Sequence, residues 1–562
     1  MSVPRSVPFP CRLAAVGLGL AMLAAPPHVF AQEQSALRLV AEAREATDER
    51  DWGRAAVLWD SVTRANPTRA EYWGRLARAK RESGDYAAAI AALEREGSLG
   101  GRAAPDITFD IARSHGAAGR PGESLRWLER AYETGLRHHR TARSDTAFAA
   151  LRRDARYRAL AGLVDSAEVS RVEGWRTDVR FLARSLEYIH YDLFDNVSPE
   201  VFSAFVDRLI QDIPRLSDRQ IVVRLMRLTR MAGDAHTNLF PEHVFRSTRE
   251  GVPATFFKYA DGLYVQSASA AHGALVGREV VAVAGRDPIA VLDSVGQIVS
   301  RDNPMWVDLT AANLISFPQI LEGLGLAPSP ARLELTVRDD GGPDETVVLQ
   351  VTPGPPDSSW VDVWPDHLLR GRTPQLRYWF EELPELGAAY FQFNLVFNDS
   401  EEPLPDFLDR MFAELDARGV GRLIIDLREN RGGNVFLADK LLHHLISRPR
   451  FHEPGSLYVI AGRKTFSAAM YTAAQMERHL DPIFVGEPTG SRPNFVGETV
   501  YIRLPYSGLE PSISNLYWQG THGADNRTWI GPHLYAPPSI EHLREGSDPA
   551  LEAIRVDIRG RE

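Results

Sequence analysis

Between residues 35 and 165 apolar positions recur at helical spacing, and the pattern itself repeats. "DWGRAAVLW" begins at Asp51, "DYAAAIAAL" at Asp85, 34 positions on, and "RPGESLRWL" at Arg120, 35 further. Trp52, Tyr86 and Pro121 hold equivalent slots, as do Ala55, Ala89 and Ser124. "YWGRLARAKRESG" and "TFDIARSHGAAG" supply the helices in between, and "SDTAFAALRRDARYRAL" closes the array. Residues 170–245 continue helical. In "SDRQIVVRLMRLTRM" Ile221, Leu225 and Leu228 share a face, and Gly233 stops the helix, leaving "GDAHTNLF" as a loop. From about 250 the period changes to two. "ATFFKYADGLYVQSA" is two β-rich runs around a glycine turn, "GREVVAVAGRDPIAVL" a strand, turn and helix, and "RLELTVRDDGGPDETVVLQV" a hairpin. Residues 250–355 therefore read as a small, mostly β module with one or two helices, closed by the linker "PGPPDSSW". From 375 to 562 short apolar runs alternate with amphipathic ones. "AAYFQFNL", "RLIIDLRENRGGN", "SLYVIAG" and "PIFVGEPTG" predict strands; "LPDFLDRMFAELDARG", "VFLADKLLHHLIS" and the stretch after Ser467 predict helices. This is a layered α/β domain. The whole is a multidomain α+β chain.

The first 31 residues follow another logic. Arg5 and Arg12 flank an apolar stretch of about 13 residues, and Val29 and Ala31 satisfy the small-residue cleavage rule. They predict a secretory signal peptide cut after Ala31, hence an exported protein, periplasmic or secreted. The stretch is short for a membrane span. The one cysteine, Cys11, lies inside the leader, so the mature chain has no disulfide, cysteine nucleophile or thiolate metal site. The formal charge is −10 for the full chain. That balance disfavours nucleic acid and anionic membrane surfaces as partners. With 44% hydrophobic and 25% charged residues the composition is otherwise ordinary for a globular protein.

H-E-x-x-H, Walker and G-x-S-x-G motifs are absent, as is a G-x-G-x-x-G after a strand. The histidine pairs at 138–139 and 443–444 are adjacent, so on a helix they point about 100° apart and make poor metal pairs. No metal or cofactor is expected. Three segments carry candidate chemistry. "DLRENRGG" (426–433) ends a buried strand in two glycines, whose small size lets backbone N–H groups face a site; a plain βα turn would also use them. "TFSAA" (465–469) puts Ser467 at a helix start, where it is either an N-cap or a nucleophile. "GDAHT" (233–237) puts His236 on a loop, where a histidine is commonly only a polar surface residue.

In this order, with "VGEPTG" (485–490) following, the segments resemble the tail-specific, or C-terminal-processing, serine peptidases, and more closely their tricorn-core-like branch. The resemblance covers about 170–550. It implies a PDZ-like module at 250–355 and a crotonase-like core at 375–562, preceded by a helical part at 170–245. It implies Ser467 as nucleophile, His236 as general base, and an oxyanion hole from the N–H of Gly432 or Gly433 with that of Ala468. Classical members use a lysine about 25 residues after the serine; here that slot is Arg492, which cannot act as a base. Lys464 is near Ser467 but precedes it on the turn. The expected acid behind the histidine falls on Asp525 in "GADNRTWIGP", with Glu498 and Glu487 as alternatives and Asp234 as a residue that shapes the loop. The 34-residue period at 35–165 resembles tetratricopeptide repeats, which implies a groove for a protein partner. The expected function is an exported serine peptidase acting on protein or peptide substrates. The alternative is a non-catalytic protein on the same scaffold that binds peptides or hydrophobic ligands.

Overall fold

The computed structural model describes residues 27–133, 136, 139–163, 169–239, 251–352, 360–363, 368–372 and 375–561. Residues 1–26 of the predicted leader, and all of the predicted linker except Trp360, lie outside them. Ala31 falls within the helix Pro27–Asp48. No helix among the described residues is long and apolar enough to cross a membrane. The described residues divide into two compact units, one within 27–131 and 145–151, the other within 132–144 and 152–561.

In the first unit the helices Trp52–Ala65, Ala70–Glu82, Tyr86–Ser98, Ala104–Ala117 and Pro121–Glu133 follow one another through short turns. The sequence period is visible in the helix starts, since Trp52, Tyr86 and Pro121 each open a helix. Asp51 and Asp85 cap theirs in the same way, each carboxylate accepting from the N–H three residues on. This satisfies an amide that the helix end leaves without a partner. Ala55, Ala89 and Ser124 are fully buried, at positions where a larger side chain would separate neighbouring helices. The Ser124 hydroxyl donates to the Ala112 carbonyl of the preceding helix.

The second unit holds two six-stranded sheets and a hairpin. The first sheet is antiparallel: β1 (Ala254–Lys258), β2 (Leu263–Ser269), β3 (Glu279–Val283), β4 (Arg332–Arg338) and β5 (Asp344–Gln350) lie in chain order, and β6 (Trp360–Asp362) pairs with β2. The predicted hairpin is β4–β5, in register from Arg338↔Asp344 to Arg332↔Gln350. Three helices, rather than one or two, cross between β3 and β4: Pro288–Gly296, Pro304–Leu314 and Pro318–Gly323. Each starts at proline, whose fixed φ suits a first helical turn. The middle one is apolar on most sides and so shows little helical periodicity in sequence. The helices Arg171–Ile189 and Asp218–Arg230 share a core with this sheet.

The second sheet runs in the order β14-β11-β10-β9-β8-β7, from β7 (Tyr378–Leu383) and β8 (Ala388–Phe393) through β9 (Arg422–Asp426), β10 (Leu457–Ala461) and β11 (Ile483–Gly486) to β14 (Leu534–Tyr535). All its neighbours are parallel except β7–β8. Its side chains sort by the strand period. Phe391, Phe393, Leu423, Ile425, Val459 and Phe484 enter one core with the helices Leu404–Arg418, Asp439–Ile446 and Ala468–His479. Tyr390, Ile424, Tyr458, Ile460 and Val485 face the helix Pro549–Arg561. Both faces are covered, which is why these strands read as continuous apolar runs. The helix predicted from Val435 begins only at Asp439. Asn434 holds the chain before it, its N–H bonding the Val396 carbonyl at 2.8 Å and its side chain accepting from the Phe436 N–H. The hairpin β12 (Asn494–Tyr501) and β13 (Ser512–Gln519) is separate from both sheets, and Phe466, Ile502, Leu504 and Ile513 join the core of the first sheet.

Candidate active site

Ser467 follows β10 after a five-residue turn. Thr465 secures that turn, its hydroxyl accepting from the Gly462 N–H at 3.1 Å and donating to the Leu427 carbonyl at 2.9 Å. Gly490 of "VGEPTG" donates to the Thr465 carbonyl, and a β-carbon there would lie 2.0 Å from the Arg463 carbonyl oxygen. Ser467 itself has φ 56° and ψ −124°, a backbone region normally left to glycine. An N-cap serine has extended dihedrals and bonds the first-turn amides. Ser467 stands before the helix Ala468–His479, but its side chain makes no capping bond. It instead occupies a strained strand-to-helix turn of the kind that lifts a nucleophile clear of its surroundings.

The glycines of "DLRENRGG" come against this turn. A β-carbon on Gly432 would lie 2.6 Å from Ser467 Cβ and 2.7 Å from the Ala468 nitrogen, so only glycine fits, at φ 99°. The two glycines differ as donors. The Gly432 N–H is taken by Asn430 Oδ1 at 2.9 Å. Val396 bonds the residues either side of Gly433, accepting from Asn434 and donating to the Gly432 carbonyl. The Gly433 and Ala468 N–H groups have no acceptor among the described residues. The wholly buried Asn430 also donates to the Phe393 carbonyl at 2.8 Å, and its own carbonyl accepts from Phe466 N–H, so one amide joins β8, the glycines and the serine turn.

His236 approaches from the first sheet's core. Its loop is tied to β13 by the Asn238–Ser512 backbone pair and by Ser512 Oγ donating to the His236 carbonyl at 2.8 Å. Its ring belongs to a run of stacked rings: Trp306 to Phe466 at 4.2 Å, Phe466 to His236 at 4.3 Å, and His236 to Phe495 at 5.4 Å. Both ring nitrogens are shielded from solvent and make no well-formed hydrogen bond; the Val496 carbonyl is nearby. Burial lowers the imidazole pKa to about 4, against the opposing pull of Asp234 and the Val496 carbonyl.

The candidate acids separate clearly. Asp525 does not line the cavity that holds Ser467 and His236; it pairs with Arg527 and accepts from Thr521 Oγ1 at 2.8 Å. The Arg527 guanidinium holds its carboxyl down to about 2. Glu487 is bound to Arg463 at 2.7 Å and does not line that cavity. Glu498 does line the cavity, on β12, with φ 58°. Asp234 shapes the loop as expected, one oxygen accepting the His236 and Thr237 N–H groups at 2.8 and 2.7 Å. Its other oxygen meets His190 Nε2 at 2.9 Å, a buried contact without a motif in the sequence. Burial is the largest single influence and works to raise the Asp234 pKa, but the hydrogen bond and charge of His190, the His236 ring and the Thr237 N–H together outweigh it, and the net shift is downward. Asp302, also without a motif, accepts from the Ala235 N–H and from Ser491 Oγ, and burial raises its carboxyl to about 6. Lys464 is bound to Glu429 at 2.6 Å, and Arg492 donates to the Asp302 carbonyl.

Ser467, Ala468, His236, Gly432 and Gly433 line one cavity of about 510 Å³. Aromatic residues of the hairpin, the serine helix and the loops after β8 and β9 wall it, with Arg431 and Glu498 as its charged members. No group of metal-ligating side chains occurs among the described residues. His444 of the second histidine pair bonds Asp409 and stacks on Phe412.

No family model matches the chain, and no curated protein matches it in sequence. Among solved structures it is similar to mature CPAF complexed with lactacystin, at 13% identity and a TM-score of 0.48, over 69% of this chain and 98% of that one. It is also similar to the photosystem II C-terminal processing protease, at 14% identity and a TM-score of 0.34, over 67% of this chain and 98% of that one. A Bacteroides fragilis protein named as a protease aligns at 14% identity with a TM-score of 0.30, over 57% of this chain and 85% of that one.

Proposed function

We propose that this chain is an exported serine peptidase in which Ser467 is the nucleophile and His236 the general base. The observation that carries the reading is the strained, uncapped Ser467 at a helix start, sharing one cavity with His236 and with two N–H groups that have no acceptor among the described residues. Serine is a weak nucleophile until a base removes its proton. His236, neutral at pH 7, takes the proton from Ser467 Oγ as the Oγ–carbonyl carbon bond forms. The N–H groups of Gly433 and Ala468, at the start of a helix, stabilise the resulting oxyanion. The imidazolium returns the proton to the amine as the C–N bond breaks, and water then hydrolyses the acyl-enzyme by the reverse order of steps. Of the acids expected from the sequence, Glu498 is preferred to Asp525 because it lines the same cavity as His236, whereas Asp525 is paired with Arg527. In this reading 250–355 serves as a PDZ-like module that binds substrate ends by strand addition. The core from 375 is crotonase-like and tricorn-like in its Ser–His pairing, and the repeats of 35–165 form a tetratricopeptide-like arm for a protein partner.

Labelling with a fluorophosphonate tests the assignment. Labelling of the wild type that is lost in Ser467→Ala and in His236→Ala supports it. A folded wild type that resists labelling supports the second reading, a non-catalytic peptide- or ligand-binding protein. One observation favours that second reading: among the described residues no carboxylate hydrogen-bonds the His236 ring, whose nitrogens are shielded from solvent and make no well-formed hydrogen bond.

A further inference from the structure

The cavity around Ser467 has a chemical bias that the Ser–His arrangement does not require. Trp518 of β13 is its hub. Phe436 meets it edge-on at 6.3 Å and 65°, and Tyr471 meets it edge-on at 6.1 Å and 77°. Phe397 completes the ring-lined wall, closing over Gly433, where a β-carbon would lie 2.8 Å from its ring. Two of these rings are unusually open for aromatic residues, Phe436 at 72% and Phe397 at 46% exposure. Phe436 is therefore not placed by core packing. Large exposed apolar rings converging on one cavity mark a binding surface rather than a fold requirement.

We propose that this wall is a specificity pocket for a large aromatic side chain, that of Phe, Tyr or Trp, on the substrate residue whose carbonyl Ser467 attacks. The proposal rests on the peptidase reading above and adds the substrate class to it. The volume, about 510 Å³, accommodates an aromatic side chain with its flanking backbone. An entering ring finds ring edges and faces in the offset and T-shaped arrangements that aromatic pairs favour, which aliphatic side chains exploit less well. Among the described residues that line the cavity, a basic side chain finds one carboxylate, Glu498 on the hairpin, and an acidic one finds one cation, Arg431 beside the glycines, so rings outnumber charges there. Pairing within the wall also explains its composition. Tyr471 lies one helical turn after Ser467 and Phe436 three residues after Gly433, so the elements that supply the reacting groups supply the pocket too.

The test uses the full mature chain and a set of blocked peptides that differ only at the residue before the scissile bond, carrying Phe, Leu, Ala, Lys or Glu. The expected result is a kcat/KM for Phe about 10-fold or more above that for Ala. Phe436→Ala and Trp518→Ala should each lower the Phe-to-Ala ratio severalfold, and Phe436→Tyr should retain it. Phe436 is the better probe, since its exposure leaves folding little affected. An enzyme that is labelled at Ser467 and cleaves the Ala, Lys or Glu peptide as well as the Phe peptide overturns the pocket and leaves the peptidase reading standing. An unchanged ratio in both alanine variants also overturns it. Absence of labelling at Ser467 together with absence of cleavage overturns the peptidase reading and the pocket with it.

Discussion

The backbone of Ser467 can be tested apart from its chemistry. At φ 56° and ψ −124° its β-carbon is held where only glycine is at ease, and such strain costs about 1–3 kcal/mol. Ser467→Ala keeps the β-carbon and so keeps the strain. Ser467→Gly removes it, and in exchange the more flexible unfolded chain loses about 0.5–1 kcal/mol of stability. The serine side chain makes no capping bond, so neither substitution unsatisfies a helix amide. Ser467→Gly should therefore be about 1 kcal/mol more stable than Ser467→Ala. At an ordinary position the order is the reverse. Guanidinium titration followed by tryptophan fluorescence measures the difference, because Trp175 and Trp306 are buried in the core that receives Phe466. If the glycine variant is the less stable by about 0.5–1 kcal/mol, as at a relaxed site, the strain argument fails.

Gly432→Ala puts a β-carbon 2.6 Å from Ser467 Cβ at φ 99°, and should reduce fluorophosphonate labelling at least about 100-fold, read from the labelling rate. Asp525→Asn breaks only an ion pair with a half-exposed Arg527, so kcat/KM should change less than about threefold, whereas a loss of about 1000-fold would restore Asp525 as the acid. The His236 ring stays neutral down to a pKa of about 4, so the acid limb of kcat/KM should fall near pH 4 rather than near 6.5. The same shift bears on stability. Below about pH 6.5 the unfolded imidazole binds a proton that the folded one refuses, so stability falls between pH 6.5 and 4 by about 3 kcal/mol. His236→Asn should remove that part of the pH dependence in denaturant titrations. Arg428→Met leaves the buried carboxylates of Asp426 and Asp548 facing each other, and should lower stability by about 3–5 kcal/mol in thermal unfolding.

Much of the fold was legible because its signals are local. The 34-residue offset in sequence became the starts of three helices, with matching aspartate caps at two of them. The doubly covered sheet showed itself as apolar runs, and the β4–β5 hairpin as alternation around "DDGG". The site was legible in part. Ser467, His236, Ala468 and the two glycines stand at the ends of recognisable elements, and they do meet around one cavity. The third helix of the β module was missed, because Pro304–Leu314 is apolar on most sides. Asp525 was placed by its position in the chain, but a charge's partner depends on what folds beside it, and that is Arg527.

The sequence by itself determined which backbones can bend and which side chains can react: glycines before Asn434, a serine before a helix, a histidine after one. These follow from local stereochemistry and hold in any fold. The tertiary structure alone decided which of them come together. It turned Gly432 toward Asn430 and left the Gly433 N–H without an acceptor among the described residues. It closed His236 between Phe466 and Phe495, residues 230 and 259 positions away in the chain, and so set its pKa. Desolvation and hydrogen-bond partnership are properties of what packs around a group, and the chain supplies those neighbours only once it is folded.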